Sequence, residues 1–329
     1  EDIFLEDIAF LQYTSGSTGN PKGVMVSHAN LMANMRAIET TFSFDDRSVC
    51  VSWLPIFHDM GLVGSTLHPL YHGAPLIFMS PLHFIQRPVR WLRAISKYKA
   101  THSGGPNFAY DYCVQRIKPQ DLQGLDLSSW NVAFNGSEPV RTQTIQNFYA
   151  AYKHYGLKRD AQMPVYGMAE STLLLSGTRN NDARNPVGHQ GYASSGFVAD
   201  GHDLKIVDPD TLQVLEDGRV GEVWASGPSI CPGYYNAEKA NAETFNFTLL
   251  GETGAYLRTG DAGFMQNGQI HVTGRLKAML IARGRNIHIE DIEWSLGHVK
   301  ALAPNFSTAF LLDDEDPDSL VVVAGLKTE

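Results

Sequence analysis

Residues 13–23 read YTSGSTGNPKG and place Thr14, Ser15, Gly16, Ser17, Thr18, Gly19, Lys22 and Gly23 in one short stretch. That is the composition of a phosphate cradle: glycines let the backbone turn tightly and aim N–H groups at an anion, small hydroxyls add donors, and a lysine adds charge. The run departs from the common P-loop, whose GxxxxGK(S/T) pattern needs Gly before the Lys and a hydroxyl after it. Here Pro21 precedes Lys22 and Gly23 follows. Apolar residues 8–11 and 24–26 flank the run, which predicts a strand, a loop and a second strand where a P-loop would lead straight into a helix. A Ser/Gly-rich surface turn is the alternative, and Lys and Pro at fixed places inside it count against that reading.

A phosphate-binding loop needs a rigid frame, and the rest of the chain supplies the pattern of one. Short runs rich in Val, Ile and Phe alternate with amphipathic segments, which predicts α/β layering. Strands are expected at 49–54, 75–79, 132–134 and 163–166, and helices at 28–39, 84–98 and 140–155. In the last of these, Ile145, Phe148, Tyr152 and Tyr155 recur at steps of three and four, the face that should pack on a sheet. The texture changes after about residue 177. Residues 177–195 are polar and Gly- and Asn-rich and read as a linker or loop. Beyond them, 204–207, 221–225 and 270–272 alternate with turns at Asp217-Gly218 and Asn267-Gly268, the signals of antiparallel hairpins. An α/β part over 1–195 followed by a β-rich subdomain over 196–274 is the expected organisation.

Composition narrows the function. With 329 residues, 43% of them hydrophobic, the chain can bury a substantial core, and a net charge of −9 argues against nucleic-acid backbone binding as its main business. Cys50, Cys113 and Cys231 lie far apart, without zinc-ligand spacing or a disulfide framework, which fits a reducing cytosol. No apolar run approaches the length of a membrane span, and the acidic first residues do not read as a signal peptide. A soluble cytoplasmic protein is expected.

Further segments stand in a fixed order along the chain: WLPIFHDMGL at 53–62, SGGPNFAYDYC at 103–113, FNGSEPV at 134–140, YGMAES at 166–171, YLRTGD at 256–261 and GRLKAMLIARGRNIHIEDIE at 274–293. Together with the phosphate loop they resemble the adenylate-forming (ANL) superfamily, which includes acyl-CoA synthetases, luciferases and the adenylation domains of peptide synthetases. Within it the resemblance is closest to the fatty acyl-AMP ligases, which activate fatty acids and pass them to carrier proteins. It runs from Ile8 to about Leu296. The fold it implies is a layered α/β/α adenylation domain with a β-rich subdomain, followed over 275–329 by a hinge and the start of a small α+β C-terminal domain. In such proteins a large amino-terminal subdomain precedes the phosphate loop and a second lysine-bearing segment follows the small domain's start, so this chain is expected to be part of a longer one. Residues 177–195 are short for the insertion that the fatty acyl-AMP ligases carry there.

The resemblance also implies roles. Thr14, Ser15, Gly16, Ser17, Thr18, Gly19 and Lys22 would hold the β- and γ-phosphates of ATP and then pyrophosphate. Glu170 would coordinate Mg²⁺, a hard cation that prefers carboxylate and phosphate oxygens. Tyr166 would stack on adenine, bordered by Gly167, Met168 and the turn carrying Gly136, Ser137 and Glu138. Asp261 would accept hydrogen bonds from the ribose hydroxyls, Arg275 would contact ribose and phosphate, and Lys277 would be the hinge. Lys22, Glu170 and Arg275 are thus the catalytic candidates, and His58, Met60, Gly104, Gly105 and Met168 are candidates for the acyl pocket.

Plainer readings stand beside some of these. Glu170 could be a carboxylate at a helix N-terminus, and Asp261 a turn residue. His58 gates the acyl site or packs beside it, or is merely structural, since an ionised fatty carboxylate needs no base. Trp91, Leu92, Ile95 and Tyr98 are at helical spacing and read as core before acyl tunnel. The run DDEDPD at 313–318 reads as a solvated loop.

The expected function is ATP-dependent conversion of a fatty acid to acyl-AMP, followed by transfer to the phosphopantetheine thiol of an acyl carrier protein, in lipid, polyketide or lipopeptide assembly. A fatty acyl-CoA ligase is the alternative acceptor reading, and a non-catalytic nucleotide- or acyl-binding regulatory module the alternative of another class. The presence of Lys22, Glu170, Asp261 and Arg275 together favours the enzyme.

Overall fold

A computed structural model describes residues 2–14, 21–178, 191–276, 279–282, 285–297, 299, 301–312 and 320–326. Ile8–Thr14 (β1) and Lys22–Ser27 (β2) pair antiparallel with Thr14 opposite Lys22, the two strands expected. Ser15, Gly16, Ser17, Thr18 and Gly19 lie outside the described residues. β2 passes directly into the helix His28–Phe42. Ser27 caps it: its hydroxyl accepts the Asn30 N–H at 3.1 Å, and the Asn30 side chain accepts the Ser27 N–H at 3.2 Å.

The frame is one mixed sheet. Its strands are Cys50–Ser52 (β3), Leu76–Phe78 (β4), His102–Pro106 (β5), Val132–Gly136 (β6), Gln162–Gly167 (β7), Leu174–Gly177 (β8), Phe197–Val198 (β9), Asp203–Val207 (β10), Gly221–Ser226 (β11), Leu257–Gln266 (β12) and Gln269–Arg275 (β13). Among the described residues all eleven join in the order β10-β11-β12-β13-β9-β8-β7-β6-β5-β3-β4. β4, β3, β5, β6 and β7 run parallel, and from β7 onward every pairing is antiparallel. Parallel neighbours need long crossovers, and the helices Pro81–Gln86, Val89–Tyr98, Asn107–Arg116 and Thr142–Tyr152 occupy them. The fold is therefore α/β, as the alternating pattern predicts. The β-rich stretch does not form a separate sheet, because β9 pairs with both β8 and β13.

Two local features depart from the sequence pattern. The helix expected over 84–98 is two, because Pro88 offers no N–H and forces Arg87 out of the helical region (φ −154°, ψ 87°). The segment after Asp59 is a π-helix, Met60–Leu67, a form with no distinctive apolar period. At the Asn267-Gly268 turn between β12 and β13, both residues have positive φ (52° and 74°), as a two-residue hairpin turn demands. The aromatic core lies against the parallel strands: Trp53 stacks on Phe84 at 4.0 Å, Trp91 meets Trp130 at 5.3 Å and Tyr110 meets Phe148 at 4.9 Å. Trp91, Leu92 and Ile95 belong to it, and Tyr98 is exposed. Beyond Arg275, Met279–Ala282 (β14) pairs with Arg285–His288 (β15), and Leu302–Leu311 (β16) with Leu320–Leu326 (β17), with the helix Ile289–Gly297 between the pairs. Lys277 and residues 313–318 lie outside the described residues. No described helix is long and apolar enough to cross a membrane.

Beside β3, the ring of Phe44 is packed against His68, His72 and His102, with centroids 4.6, 4.9 and 4.7 Å away. Burial, reinforced by His72 and His102, holds the His68 imidazolium pKa down at about 3. Burial likewise holds His102 at about 4, against the Phe42 carbonyl and Asp45, which favour its charge. Both groups are neutral in the folded protein at pH 7. Below the unfolded value of about 6.5 the unfolded chain takes up protons that the folded chain refuses until pH 4 to 3, so stability falls as pH falls through that window, by up to about 1.4 kcal/mol per pH unit for each histidine. His68→Leu should therefore lose about 1.5–2 kcal/mol less than the parent between pH 6.5 and 5, measured by urea unfolding at both values. Equal losses in the two proteins would mean that His68 is not held neutral by its surroundings.

Candidate active site

β7 ends at Tyr166 and Gly167, and the chain then doubles back to β8 through a tight irregular turn. A Cβ on Gly167 would sit 1.7 Å from the Leu173 carbonyl oxygen, so no other residue fits. Thr172 is at φ 67°, an outlying conformation for a β-branched residue. Glu170 sits in this turn, in the three-residue 3₁₀ segment Ala169–Ser171. Because no α-helix follows, the helix-dipole alternative for Glu170 has no helix to rest on. The turn is clamped from outside. Asn34 donates to the carbonyls of Ser171 (3.3 Å) and Leu174 (2.9 Å), and the Glu170 carbonyl accepts the Cys231 N–H at 2.9 Å.

Lys22 and Glu170 meet through a residue that the sequence reading missed. The Tyr234 hydroxyl donates to Glu170 Oε1 at 2.7 Å, and Lys22 Nζ lies over the Tyr234 ring, 4.9 Å from its centroid. The neighbouring backbone joins the same segments: Met25 N–H bonds Gly233 O at 2.9 Å and Tyr235 N–H bonds Gly23 O at 2.8 Å. A Gly-Tyr-Tyr triplet carries no chemical signature in sequence. Only its place beside β2 singles it out.

The second half of the site is a buried charge cluster on β12 and β13. Asp261 and Arg275 are cross-strand partners, and Arg275 Nε bonds Asp261 Oδ1 at 2.9 Å. Tyr166 donates its hydroxyl to Asp261 Oδ2 at 2.7 Å, which ties β7 to β12. Burial pushes the Asp261 carboxyl up, opposed by the Arg275 cation and the Tyr166 hydroxyl. Burial, and next the Asp261 charge, push the Tyr166 phenol well above its ordinary range, so it keeps the proton it donates to Asp261. Burial works against the Arg275 cation, but Asp261, Tyr166, Glu170 and Tyr234 more than offset it. A carboxylate offers about four acceptor positions, so an Asp261 bonded twice can still receive two hydroxyls.

The remaining candidates line the adjoining wall. Gly136 lies against Val165, and Ser137 (φ 66°) donates to Met60 Sδ at 3.4 Å, which brings the start of the π-helix to the turn after β6. Glu138 Oε1 accepts the Phe108 N–H at 2.6 Å, at the start of the helix Asn107–Arg116, so its carboxylate serves that helix end. His58 Nδ1 lies 2.6 Å from Asp59 Oδ1, and that hydrogen bond raises the imidazole pKa against burial. The space beside Gly104 is filled by Phe134 and that beside Gly105 by the Trp53 indole. Met168 is buried next to the Glu170 turn.

The fold is that of an adenylation domain among solved structures. Residues 2–235 match the model of the AMP-binding enzyme family. The chain belongs to that family. The medium-chain-fatty-acid–[acyl-carrier-protein] ligase TtuA of Teredinibacter turnerae is 42% identical to it, over 97% of this chain and 54% of its own length. JamA of Moorena producens, a ligase of the same description, is 39% identical over 98% of this chain and 58% of its own length. The chain thus spans a little over half the length of these curated relatives. Among solved structures, the fatty acyl-adenylate ligase from Legionella pneumophila in complex with acyl adenylate and pyrophosphate matches with a TM-score of 0.81 and 42% identity, over 100% of this chain and 61% of that one.

Glu222, also missed by the sequence reading, holds the strand that carries Asp261. Its Oε2 accepts from Arg258 Nε (2.9 Å), another Arg258 nitrogen (2.7 Å) and Trp224 Nε1 (2.9 Å), and its Oε1 accepts the Gly260 N–H at 3.2 Å. The available signal was a lone acid inside the apolar run GEVWA. With Glu222 only 3% exposed, Glu222→Ala would leave Arg258 and Trp224 without their acceptor and should cost about 3 kcal/mol of stability. Denaturant unfolding measures this, and a change under about 1 kcal/mol would show that the carboxylate is dispensable to the strand.

Proposed function

We propose that the whole protein activates a fatty acid with ATP and then passes the acyl group to the phosphopantetheine thiol of an acyl carrier protein. In the first step a carboxylate oxygen attacks the α-phosphorus of ATP, the bond from that phosphorus to the bridging oxygen breaks, and pyrophosphate leaves. In the second the thiol attacks the acyl carbonyl and AMP leaves. Such transfer depends on positioning and charge stabilisation, and the incoming carboxylate needs no base. The observation that carries the proposal is the joining of Lys22 and Glu170 through Tyr234, beside the Tyr166–Asp261–Arg275 cluster. Lys22 and the loop before it would hold the β- and γ-phosphates, Asp261 the ribose hydroxyls and Arg275 the ribose and α-phosphate side. Tyr166, Gly167, Met168 and the turn at Gly136, Ser137 and Glu138 would border adenine.

A Mg²⁺ ion fits this donor set. Mg²⁺ takes one or two carboxylates and completes its shell with water and substrate phosphates, and the described residues offer Glu170 and no preassembled cluster of three His, Cys, Asp or Glu side chains. Bound with the nucleotide, it would neutralise phosphate charge. His58, Met60, Gly104, Gly105 and Met168 would border the acyl group. Phe134 and Trp53, which fill the space beside the two glycines, would then have to move to admit a chain between them. Residues 275–329 would form the start of a small domain that turns about Lys277 between the two half-reactions. Two relatives named as acyl-carrier-protein ligases support carrier protein over CoA as the acceptor.

Lys22→Ala should slow acyl-AMP formation in a pyrophosphate-release assay more than it weakens acyl-AMP binding, because the groups Lys22 contacts depart. Asp261→Ala should weaken ATP and acyl-AMP alike by about tenfold or more in calorimetry, since each hydrogen bond to a charged group is worth about 1.5–3 kcal/mol. Parent-like values for both variants would place the nucleotide elsewhere. Given medium- or long-chain fatty acid, the protein should acylate a holo carrier protein much faster than free CoA. Equal or faster acyl-CoA formation would make it a fatty acyl-CoA ligase.

A further inference from the structure

Tyr234 stands between the two groups that the proposed chemistry needs most, and several supports fix its ring. It is 5% exposed and packs edge-to-face on Phe245 at 5.2 Å. Its N–H donates to Asn241 Oδ1 at 2.6 Å, and its carbonyl accepts from Asn241 Nδ2 at 3.0 Å. It also bridges to Val24 on β2, two residues from Lys22. Its hydroxyl donates to Glu170 Oε1 at 2.7 Å, and Lys22 Nζ stands 4.9 Å from the ring centroid. A ring so held offers a fixed donor to Glu170 on its edge and a fixed π-face to the Lys22 ammonium.

We propose that Tyr234 is a positioning residue that couples the phosphate-loop lysine to the metal-binding carboxylate. Its hydroxyl engages Glu170 Oε1 at 2.7 Å and would fix the direction in which the carboxylate meets Mg²⁺. Its ring face lies under Lys22 Nζ, 4.9 Å from the centroid, and would hold that ammonium on the side of the carboxylate. This rests on the reading of Lys22 and Glu170 as phosphate and metal groups, and adds to it a residue that touches neither substrate nor metal. The two arms of the coupling are separable by substitution, because phenylalanine keeps the ring face and loses only the hydroxyl, whereas leucine loses both.

The test measures ATP binding by calorimetry with Mg²⁺ and with EDTA, and the Mg²⁺ concentration that half-saturates acyl-AMP formation, in Tyr234→Phe, Tyr234→Leu and Glu170→Gln. Tyr234→Phe should raise the Mg²⁺ requirement about three- to tenfold while metal-free ATP binds within about twofold of the parent, since the lost hydrogen bond is to the charged Glu170. Tyr234→Leu should in addition weaken metal-free ATP several-fold. In the Glu170→Gln background, Tyr234→Phe should shift the Mg²⁺ requirement no further, because the carboxylate it orients is gone. An unchanged Mg²⁺ requirement in Tyr234→Phe, with Glu170→Gln altered, would overturn the coupling and leave the reading of Glu170 standing. If Glu170→Gln also leaves the requirement unchanged, both fall. A loss of binding that is equal with Mg²⁺ and with EDTA, together with a lowered unfolding midpoint, would reduce Tyr234 to a packing residue.

Discussion

The site depends on irregular backbone being satisfied in a dry interior. The turn carrying Glu170 closes only part of its own hydrogen bonds, Ser171 N–H to Met168 O at 3.1 Å and Thr172 N–H to Ala169 O at 2.9 Å, so other carbonyls there and in the segment at 228–231 need partners from elsewhere, and each left unpaired would cost about 1–3 kcal/mol. Two asparagines on the helix His28–Phe42 meet that demand. Asn34, fully buried, donates to Ser171 and Leu174 and accepts the Leu174 N–H at 3.1 Å. Asn30, one turn earlier, donates to the carbonyls of Pro228 (3.0 Å) and Ile230 (2.9 Å). Four residues apart on a helix, they face the same way.

This arrangement links the β1–β2 hairpin to the rest of the candidate site. The helix begins where β2 ends, so the strand holding Lys22, the turn holding Glu170 and the segment leading to Tyr234 share one rigid element. Strain at Thr172 persists because its neighbours over-determine it: its hydroxyl donates to Ser229 O at 2.8 Å and the flanking carbonyls are held by Asn34. The result is a carboxylate whose direction is set before any ligand arrives.

The mixed sheet does the corresponding work for the second half of the site. β7 is parallel to β6 and antiparallel to β8, and it ends at Tyr166 and Gly167 at this change of direction. Tyr166 reaches Asp261 on β12, although β8, β9 and β13 stand between β7 and β12 in the sheet order. Asp261, Arg275, Glu222 and Arg258 then make alternating charges in which each buried acid has a cation and further donors. Such pairs add little net stability relative to apolar packing, and their value lies in fixing where a charge stands.

The sequence by itself determined the α/β class, the two strands at 8–14 and 22–27, the Asn267-Gly268 hairpin and the family. It did so because these rest on local rules: alternation, turn residues that tolerate positive φ, and runs of residue types in order. It also named Lys22, Glu170, Asp261 and Arg275 without showing that they meet. Tertiary structure decided the rest. Pro88 splitting a helix was legible in principle, but the π-helix after Asp59 and the continuity of the sheet from β8 through β9 to β13 were not, since they depend on pairings between residues far apart in the chain. Tyr234 and Glu222 were invisible for the same reason: a tyrosine becomes a positioning group only when Lys22, 212 positions earlier, is folded over its ring.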